Sequence, residues 1–459
     1  MGITAGMGGR VFFPIILLLL WTHVGRFSEV TVVAAVTPVD NRQPHPHGTA
    51  APIPDVEKTP EIQRRLDKVG ESELVITKLF VLNRHGHRTP NAPYWDYCPR
   101  DRKNRRNYDV YAEDLTGLGM KEEYELGQYL RQKYADIIGD RFNRSLHFFR
   151  AVGEPRILQS AVAVSQGIFP DGFGPGGFLP NRPQFVPVFS DMDTHEYLLD
   201  DVPCFRRAES DVKHWIKSSL AEFVADANVA EVLKYMRKVC GTPTKEPNSL
   251  FAYIKIVADG MIFNTDYGLN VCGGSITPEM LFRIRNVSMQ FLLARLYHTD
   301  EQQTYTAVDL PYRFLRIMKE NSPPSGKKLN DFVDTRQESV FYFVHREALY
   351  AFAGFFGFMY NVPGLPRNEL PVASTLIVER LERKHSLRLD KERLTYVKFI
   401  LKTPYHGTST IQIPRCKIPQ LCRLDELQHI YDQRVARTGT WEKLCNYTYS
   451  EIDHDTDIR

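Results

Sequence analysis

The sequence predicts an α/β protein in which helices flank a mostly parallel sheet. Short apolar runs that end in polar clusters are typical of buried strands. They lie at residues 78–82, 146–150 and 338–344. Helical spacing of apolar residues follows, at residues 115–134 and 348–359. Two later runs, 372–378 and 394–401, predict strands at an antiparallel edge. Open α/β sheets hold their ligands at the carboxyl ends of strands, so the polar clusters there are the first places to look for a site.

Length and composition set the scale of the molecule. The chain has 459 residues, which predicts two domains or one large domain with an insert. It is 43% hydrophobic and 25% charged, as is ordinary for a globular protein. The net charge of +3 is too small to indicate a nucleic-acid partner.

The amino-terminal stretch predicts export. An apolar run at 11–21 follows Arg10, and it is too short to span a bilayer, so residues 1–35 are interpreted as a signal peptide. Cleavage near Gly25 or near Ala34 is left open, and an uncleaved anchor is the alternative. Residues 36–72 are rich in proline and charge and predict a flexible amino terminus. No later apolar run has membrane length, so we expect a secreted or lumenal protein, extracellular or lysosomal, without a stable membrane anchor.

Two further features fit an oxidising compartment. Glycosylation sequons begin at Asn143, Asn286 and Asn446. The chain has seven cysteines, an odd number that leaves one thiol over or pairs it outside the chain.

The first apolar run ends in the densest cluster of chemically active residues, Arg84-His85-Gly86-His87-Arg88-Thr89-Pro90. Arginine presents a planar fork of donors that matches phosphate oxygens. Histidine is a candidate nucleophile or base. The cluster therefore predicts a phosphate site at the carboxyl end of a strand.

The pattern Arg-His-Gly-x-Arg-x-Pro resembles the signature of the histidine acid phosphatase family. The helix start at 115–119 and the histidine after the run at 338–344 are similar to the family as well. The resemblance implies a histidine phosphatase-like α/β domain, here residues 73–199 and 332–459. Helical periods dominate from 200 to 331, which resembles the smaller helical domain inserted in the family.

The resemblance also implies a set of site residues. His85 would be the nucleophile that forms a phosphohistidine, and Glu347 would be the proton donor. The implied phosphate ligands are Arg84, Arg88, Arg150 and His345. Two departures put activity in question: Ala151-Val152-Gly153 stands where the family has hydroxyl and carboxylate residues, and Arg346 stands where one branch has aspartate. Arg156 keeps the family spacing from Arg150 and is interpreted as structural.

Disulfides are expected on the same basis. The short segment Cys416–Cys422 resembles a carboxyl-terminal disulfide loop of the family, and Cys445 resembles the cysteine that pairs with Cys204. We infer a third pair, Cys240–Cys272, by exclusion, and this leaves Cys98 as the odd thiol.

The predicted function is a secreted acid phosphatase that acts on small phosphomonoesters or phosphoproteins through a phosphohistidine. The sequence shows neither metal-ligand spacing nor a nucleotide loop, so no metal and no cofactor are expected. A homodimer is left open. The main alternative is a phosphatase-fold protein that binds a phosphorylated or anionic ligand without turnover. A phosphomutase-type relative is a third reading, which the signal peptide disfavours.

Overall fold

The computed structural model describes eight stretches of the chain, all within the unit formed by residues 50–459. They are residues 74–170, 181–191, 196–241, 250, 253–274, 276–320, 336–383 and 394–448. The predicted signal peptide and flexible amino terminus lie outside these residues, and both stay predictions. No helix in the described stretches is long and apolar enough to cross a membrane.

A seven-stranded mixed sheet forms the centre of the fold. Its strands are β1 Leu74–Arg84, β2 His147–Ala151, β3 Ser339–Val344, β4 Thr375–Arg383, β5 Tyr396–Thr403, β6 Gly407–Thr410 and β7 Cys422–Arg423. They are ordered β2-β3-β1-β4-β5-β6, and β7 also pairs with β5. The parallel pairs are β2 with β3 and β3 with β1, and the other pairs are antiparallel.

This sheet confirms the α/β class and corrects two details. The sheet is mixed rather than mostly parallel, and β4 lies in its interior, between β1 and β5, rather than at an edge. Short connections explain part of the antiparallel half: only residues 404–406 join β5 to β6, too few for the crossover that parallel strands need.

Helices pack on the sheet and fill the stretch between β2 and β3. Before and just after β2 lie α1 Tyr94–Tyr97, α2 Gly117–Lys133, α3 Ala135–Ile138 and α4 Pro155–Ile168. Between β2 and β3 follow α5 Phe205–Ser218, α6 Leu220–Ala225, α7 Ala227–Cys240, α8 Ala258–Asp266, α9 Pro278–Leu296, α10 Asp300–Tyr305 and α11 Leu310–Lys319. After β3 come α12 Arg346–Phe356, α13 Leu424–Thr438 and α14 Trp441–Cys445. Shorter 3₁₀ or π turns are Pro99–Asn107, Val202–Cys204, Tyr253–Val257 and Val271–Gly273.

Two apolar clusters organise the packing. The larger lies around the sheet, where Leu79, Phe80 and Leu82 of β1 are fully buried, and it also takes in Phe314 of α11. The second is built mainly from α7, α8 and α9 together with Tyr94. Because α11 contributes to the core of the sheet, the helical stretch is not packed solely on itself. Its status as a separate inserted domain stays a prediction.

The disulfides agree with two of the three expected pairs. Cys204–Cys445 and Cys416–Cys422 are present. The third prediction was wrong: Cys240 pairs with Cys98, and Cys272 is not in a disulfide. Cys98 ends α1 and is fully buried beside the end of α7, while the Cys272 sulfur lies 3.5 Å from that of Cys98. With three sulfurs in one cluster, exclusion by position along the chain could not select the pair.

The three sequons differ in accessibility. Asn143 and Asn446 are exposed. Asn286 lies within α9, and Ser288 of the same sequon is buried and donates a hydrogen bond to Asp259. Glycosylation at Asn143 and Asn446 stays a prediction, and the packing around Ser288 disfavours it at Asn286.

Candidate active site

Two parallel strands bring the predicted histidines together. Arg84 at the end of β1 is in register with Val344 at the end of β3. The next residue after each strand is a histidine, and the rings of His85 and His345 lie 5.8 Å apart, nearly perpendicular. The backbone N–H of His85 donates to the carbonyl of Val344 at 3.2 Å, which fixes the two strand ends against each other. This pairing follows from the parallel register.

His85 is held as a neutral imidazole with one defined tautomer. Its Nδ1 lies 2.9 Å from the carbonyl oxygen of Gly86. A carbonyl can only accept, so Nδ1 carries the proton and Nε2 keeps a lone pair. Burial, followed by the charges of Arg84 and Arg156, lowers the pKa of His85 well below 6.5. The side chain therefore has the charge state of a nucleophile even in acid.

The loop that carries His85 is built against the start of α2. A Cβ on Gly86 would lie 2.5 Å from the carbonyl oxygen of Gly119, so only glycine allows this approach. Thr116 caps α2 by accepting from the Gly119 N–H, and its own N–H donates to the carbonyl of His87. Glu122 accepts from the His87 N–H at 2.9 Å. The signature and the helix start that follows it therefore form one unit.

The second histidine of the signature has a structural place. His87 is fully buried, and its Nε2 donates to the carbonyl of Phe263 on α8 at 2.9 Å. It thereby ties the signature loop to the helical stretch, and no observation gives it a role in the chemistry.

Both signature arginines are buried beside His85. Arg84 donates to the carbonyl of Leu370. Arg88 donates to the carbonyl of Thr89 and to Asn91 and lies over the ring of Phe263. Burial, together with Arg156, lowers the pKa of Arg88 to about 10. Several cations this close together create a site that favours a bound anion.

The third arginine of this group is Arg156 rather than Arg150. Arg150 at the end of β2 binds Asp191 at 2.5 Å and Glu196 at 3.1 Å, so carboxylates already engage its guanidinium. Arg156 in the first turn of α4 is among the strongest charges acting on His85. The ligand role of Arg150 stays a prediction, and these contacts favour Arg156, interpreted from the sequence as structural, as the third cation beside His85.

A carboxylate already contacts the site from the start of α4. Glu154 Oε1 lies 3.1 Å from His345 Nε2, and its other oxygen lies 2.5 Å from an Arg156 nitrogen. Its side chain is 36% exposed. This contact could not be predicted from the local sequence, because the two partners lie on different elements.

Glu347 and Arg346 face a charged network. Arg346 makes a two-point ion pair with Asp259 of α8 and a 3.3 Å contact with Glu347. Desolvation acts to raise the pKa of Glu347, but Arg346 and His345 outweigh it and hold that pKa at about 2. In the resting site Glu347 is therefore a carboxylate and not a carboxylic acid.

A pair of carboxyl groups near His345 went unnoticed in the sequence. The Asp201 N–H donates to Asp200 Oδ1 at 2.8 Å, just before the 3₁₀ turn that Cys204 anchors. Desolvation, followed by the charge of Asp201, raises the pKa of Asp200 to about 7, and His345 partly opposes this. Adjacent aspartates before a cysteine were the only signal available. Asp200 is a carboxyl group that stays protonated in acid beside the site.

Part of the chain is similar to known phosphatases. Residues 75–243 match the family model described as histidine phosphatase superfamily (branch 2). Lysosomal acid phosphatase of Homo sapiens is 34% identical over 120 residues, 26% of this chain and 27% of that protein. Prostatic acid phosphatase of Bos taurus is 32% identical over 87 residues, 19% and 21% of the two chains. The chain thus spans about a quarter of the length of these curated relatives.

Solved structures resemble the chain over a longer range. The phytase of Citrobacter braakii aligns with a TM-score of 0.62 at 14% identity and covers 80% of this chain and 99% of its own. A Hafnia alvei phytase in complex with myo-inositol hexakis sulphate gives a TM-score of 0.62 at 15% identity, covering 82% and 99%. At these identities the likeness shows a shared fold.

Proposed function

We propose that this chain, which belongs to branch 2 of the histidine phosphatase superfamily, hydrolyses phosphomonoesters through a phosphohistidine on His85. The observation that carries the proposal is a neutral imidazole with a free Nε2 lone pair among cationic groups. These groups are Arg84, Arg88, Arg156 and His345. The names of the relatives, acid phosphatases and phytases, support the same class of reaction.

The reaction would proceed in two displacements. In the first, His85 Nε2 attacks phosphorus, an N–P bond forms, and the ester P–O bond breaks as the alcohol leaves with a proton. In the second, water attacks phosphorus and passes one proton back to the donor, the N–P bond breaks, and phosphate and neutral His85 are regenerated. Arg84, Arg88 and Arg156 would stabilise the charge on the phosphoryl oxygens throughout, which is the main requirement of phosphoryl transfer.

Two carboxyl groups are candidates for the proton donor to the alcohol. Glu347 is the predicted donor, but its pKa of about 2 leaves it ionised at the pH where the reaction would run. Asp200 holds its proton up to a pH of about 7 and lies within electrostatic range of His345. We favour Asp200 in the resting enzyme, with Glu347 as the alternative.

The second candidate function is binding of a phosphorylated ligand without turnover. Two observations favour it: Glu154 contacts His345, a predicted phosphate ligand, and Arg346 stands where one branch of the family has aspartate. Retention of the neutral His85 weighs against it, because a binding site does not need a nucleophile.

The compartment is part of the proposal. We infer export to the cell exterior or to a lysosomal lumen from the predicted signal peptide, the exposed sequons at Asn143 and Asn446, and three disulfides. The names of the relatives, lysosomal and prostatic acid phosphatase, are consistent with that placement.

A phosphomonoester panel measured between pH 4 and 8 tests the function. We expect turnover that is unaffected by EDTA and absent in His85→Ala. Acid quenching during turnover should trap a phosphorylated protein in wild type and none in the variant. Binding of inorganic phosphate without turnover of any ester would establish the binding-protein alternative instead. Activity that EDTA removes and a divalent cation restores would refute the metal-independent mechanism.

A further inference from the structure

Glu154 engages the donors that a phosphoryl group would need. Its two carboxylate oxygens face His345 Nε2 at 3.1 Å and an Arg156 nitrogen at 2.5 Å. Both of those residues act electrostatically on His85. A carboxylate that bridges them therefore lies on the approach of an anion to the nucleophile.

The local backbone leaves this side chain available for the site. Glu154 is the N-cap residue of α4, yet its side chain accepts no capping hydrogen bond. Pro155 has no N–H to offer, and the N–H groups of Ile157 and Leu158 already donate to the backbone carbonyl of Glu154. The carboxylate of Glu154 thus does not cap α4, and it contacts His345 and Arg156 instead.

We propose that Glu154 is an internal competitor for the phosphoryl group: its carboxylate bridges His345 and Arg156 and must leave these donors before phosphate binds to them. The proposal rests on the phosphate site of the proposed function. Under this proposal, the affinity for phosphate depends on the charge of Glu154, which is not itself one of the phosphoryl ligands.

The chemistry of the two anions supports competition. A carboxylate has two acceptor oxygens and a phosphoryl group has three, so both can use the same cationic donors. The Glu154 side chain is 36% exposed, whereas those of His345 and Arg156 are 17% and 13% exposed. The carboxylate is thus at the solvent side and can rotate into water, while the two donors stay in place.

Competition gives phosphate binding a defined pH dependence. The charged groups that face Glu154 are Arg156 of its own helix, His345 at the start of α12 and Arg88 of the signature loop. Desolvation acts to raise the pKa of Glu154, but the hydrogen bond from His345 and these charges outweigh it and lower the pKa below 4.5. The competitor is therefore ionised at pH 6.5 and loses its charge only in stronger acid, where phosphate should bind with less opposition.

Binding of inorganic phosphate, measured by calorimetry at pH 6.5 and pH 4, tests the proposal. Glu154→Gln keeps the shape and removes the charge, and Glu154→Ala removes the whole group. At pH 6.5 we expect both variants to bind phosphate about 1.5- to 5-fold more tightly than wild type, the range that corresponds to the free energy of a part-exposed ion pair. The advantage should be smaller at pH 4 than at pH 6.5, because stronger acid shifts wild-type Glu154 toward its neutral form.

Asp191→Asn is the matched control. Asp191 also lies 2.5 Å from an arginine nitrogen and is 43% exposed, but its partner is Arg150, which is outside the group around His85. Its phosphate affinity should equal that of wild type. Unchanged or weaker binding in both Glu154 variants would overturn the proposal and make Glu154 a support for His345. Absence of phosphate binding in all the proteins would also overturn it. Failure of the proposed function has a different signature, namely phosphate binding without ester hydrolysis.

Discussion

The identity of the proton donor can be tested with two isosteric substitutions, Asp200→Asn and Glu347→Gln. At pH 5, a pKa of about 2 leaves about one Glu347 side chain in a thousand protonated. A pKa of about 7 leaves about 99% of Asp200 protonated. At this pH the protonated fraction of Glu347 is therefore about 1,000-fold smaller than that of Asp200. General acid catalysis is itself worth about 10²- to 10⁴-fold, so the difference is decisive.

The assay compares two leaving groups. An alkoxide leaves poorly without a proton, whereas p-nitrophenolate leaves well unaided. We expect Asp200→Asn to slow an alkyl phosphate about 10²- to 10⁴-fold and p-nitrophenyl phosphate by less than about 10-fold. It should also remove the fall in alkyl phosphate turnover above a pH of about 7. In Glu347→Gln we expect the ratio of the two rates to stay near that of wild type.

The opposite pattern would refute this assignment. A selective loss of alkyl phosphate turnover in Glu347→Gln, with Asp200→Asn unaffected, would make Glu347 the acid and would mean that bound substrate raises its pKa. Equal loss on both substrates in Asp200→Asn would show a structural role for Asp200. Phosphate affinity and thermal unfolding of each variant separate loss of the donor from loss of the fold.

Two further predictions concern the support of the signature loop. Burial raises the pKa of Glu122 from 4.5 to about 7, so its neutral form stabilises the fold below pH 4.5 and that stability is lost as pH rises to about 7. Between pH 4.5 and pH 7, the free energy of unfolding of Glu122→Gln, measured in urea, should rise by about 3 kcal/mol relative to that of wild type. The same difference between the two proteins at both pH values would contradict this linkage. Gly119→Ala would place a Cβ 2.2 Å from the carbonyl oxygen of His87 and should cost about 1–3 kcal/mol and much of the activity. A Cβ at Gly117 would lie more than 4 Å from any heavy atom outside its own helix backbone and its chain neighbours, so Gly117→Ala should leave stability and activity near wild type. Equal losses in the two alanine variants would refute the steric argument.

The features that could be predicted are local ones. The apolar runs gave β1, β2 and β3, and the parallel register of β1 and β3 then placed His85 beside His345. The helix start at Thr116 was visible as a capping residue followed by helical spacing. In each case the signal lies within about ten consecutive residues, where periodicity and turn chemistry act directly.

The features that were missed depend on contacts between distant segments. Arg150 lies in β2 and Arg156 in the helix that follows, and they differ because carboxylates more than forty residues away in the sequence engage Arg150. Asp200 acquires its raised pKa from burial and from a neighbour, and neither environment is written in the local pattern. The pairing of Cys98 likewise required the packing of α1 on α7.

Arg346 first counted against catalysis, and its environment reverses that argument. A buried guanidinium needs a partner, and Asp259 supplies a two-point ion pair from α8. Arg346 thus forms its ion pair with the helical stretch. Its charge also lowers the pKa of Glu347 and keeps that side chain ionised. An arginine at this position therefore removes the adjacent glutamate from the resting acid's role without adding an obstacle near His85. His85 and its neighbouring cations are retained beside this ion pair, and under the proposed function we expect the proton to come from Asp200, whose pKa burial and Asp201 raise.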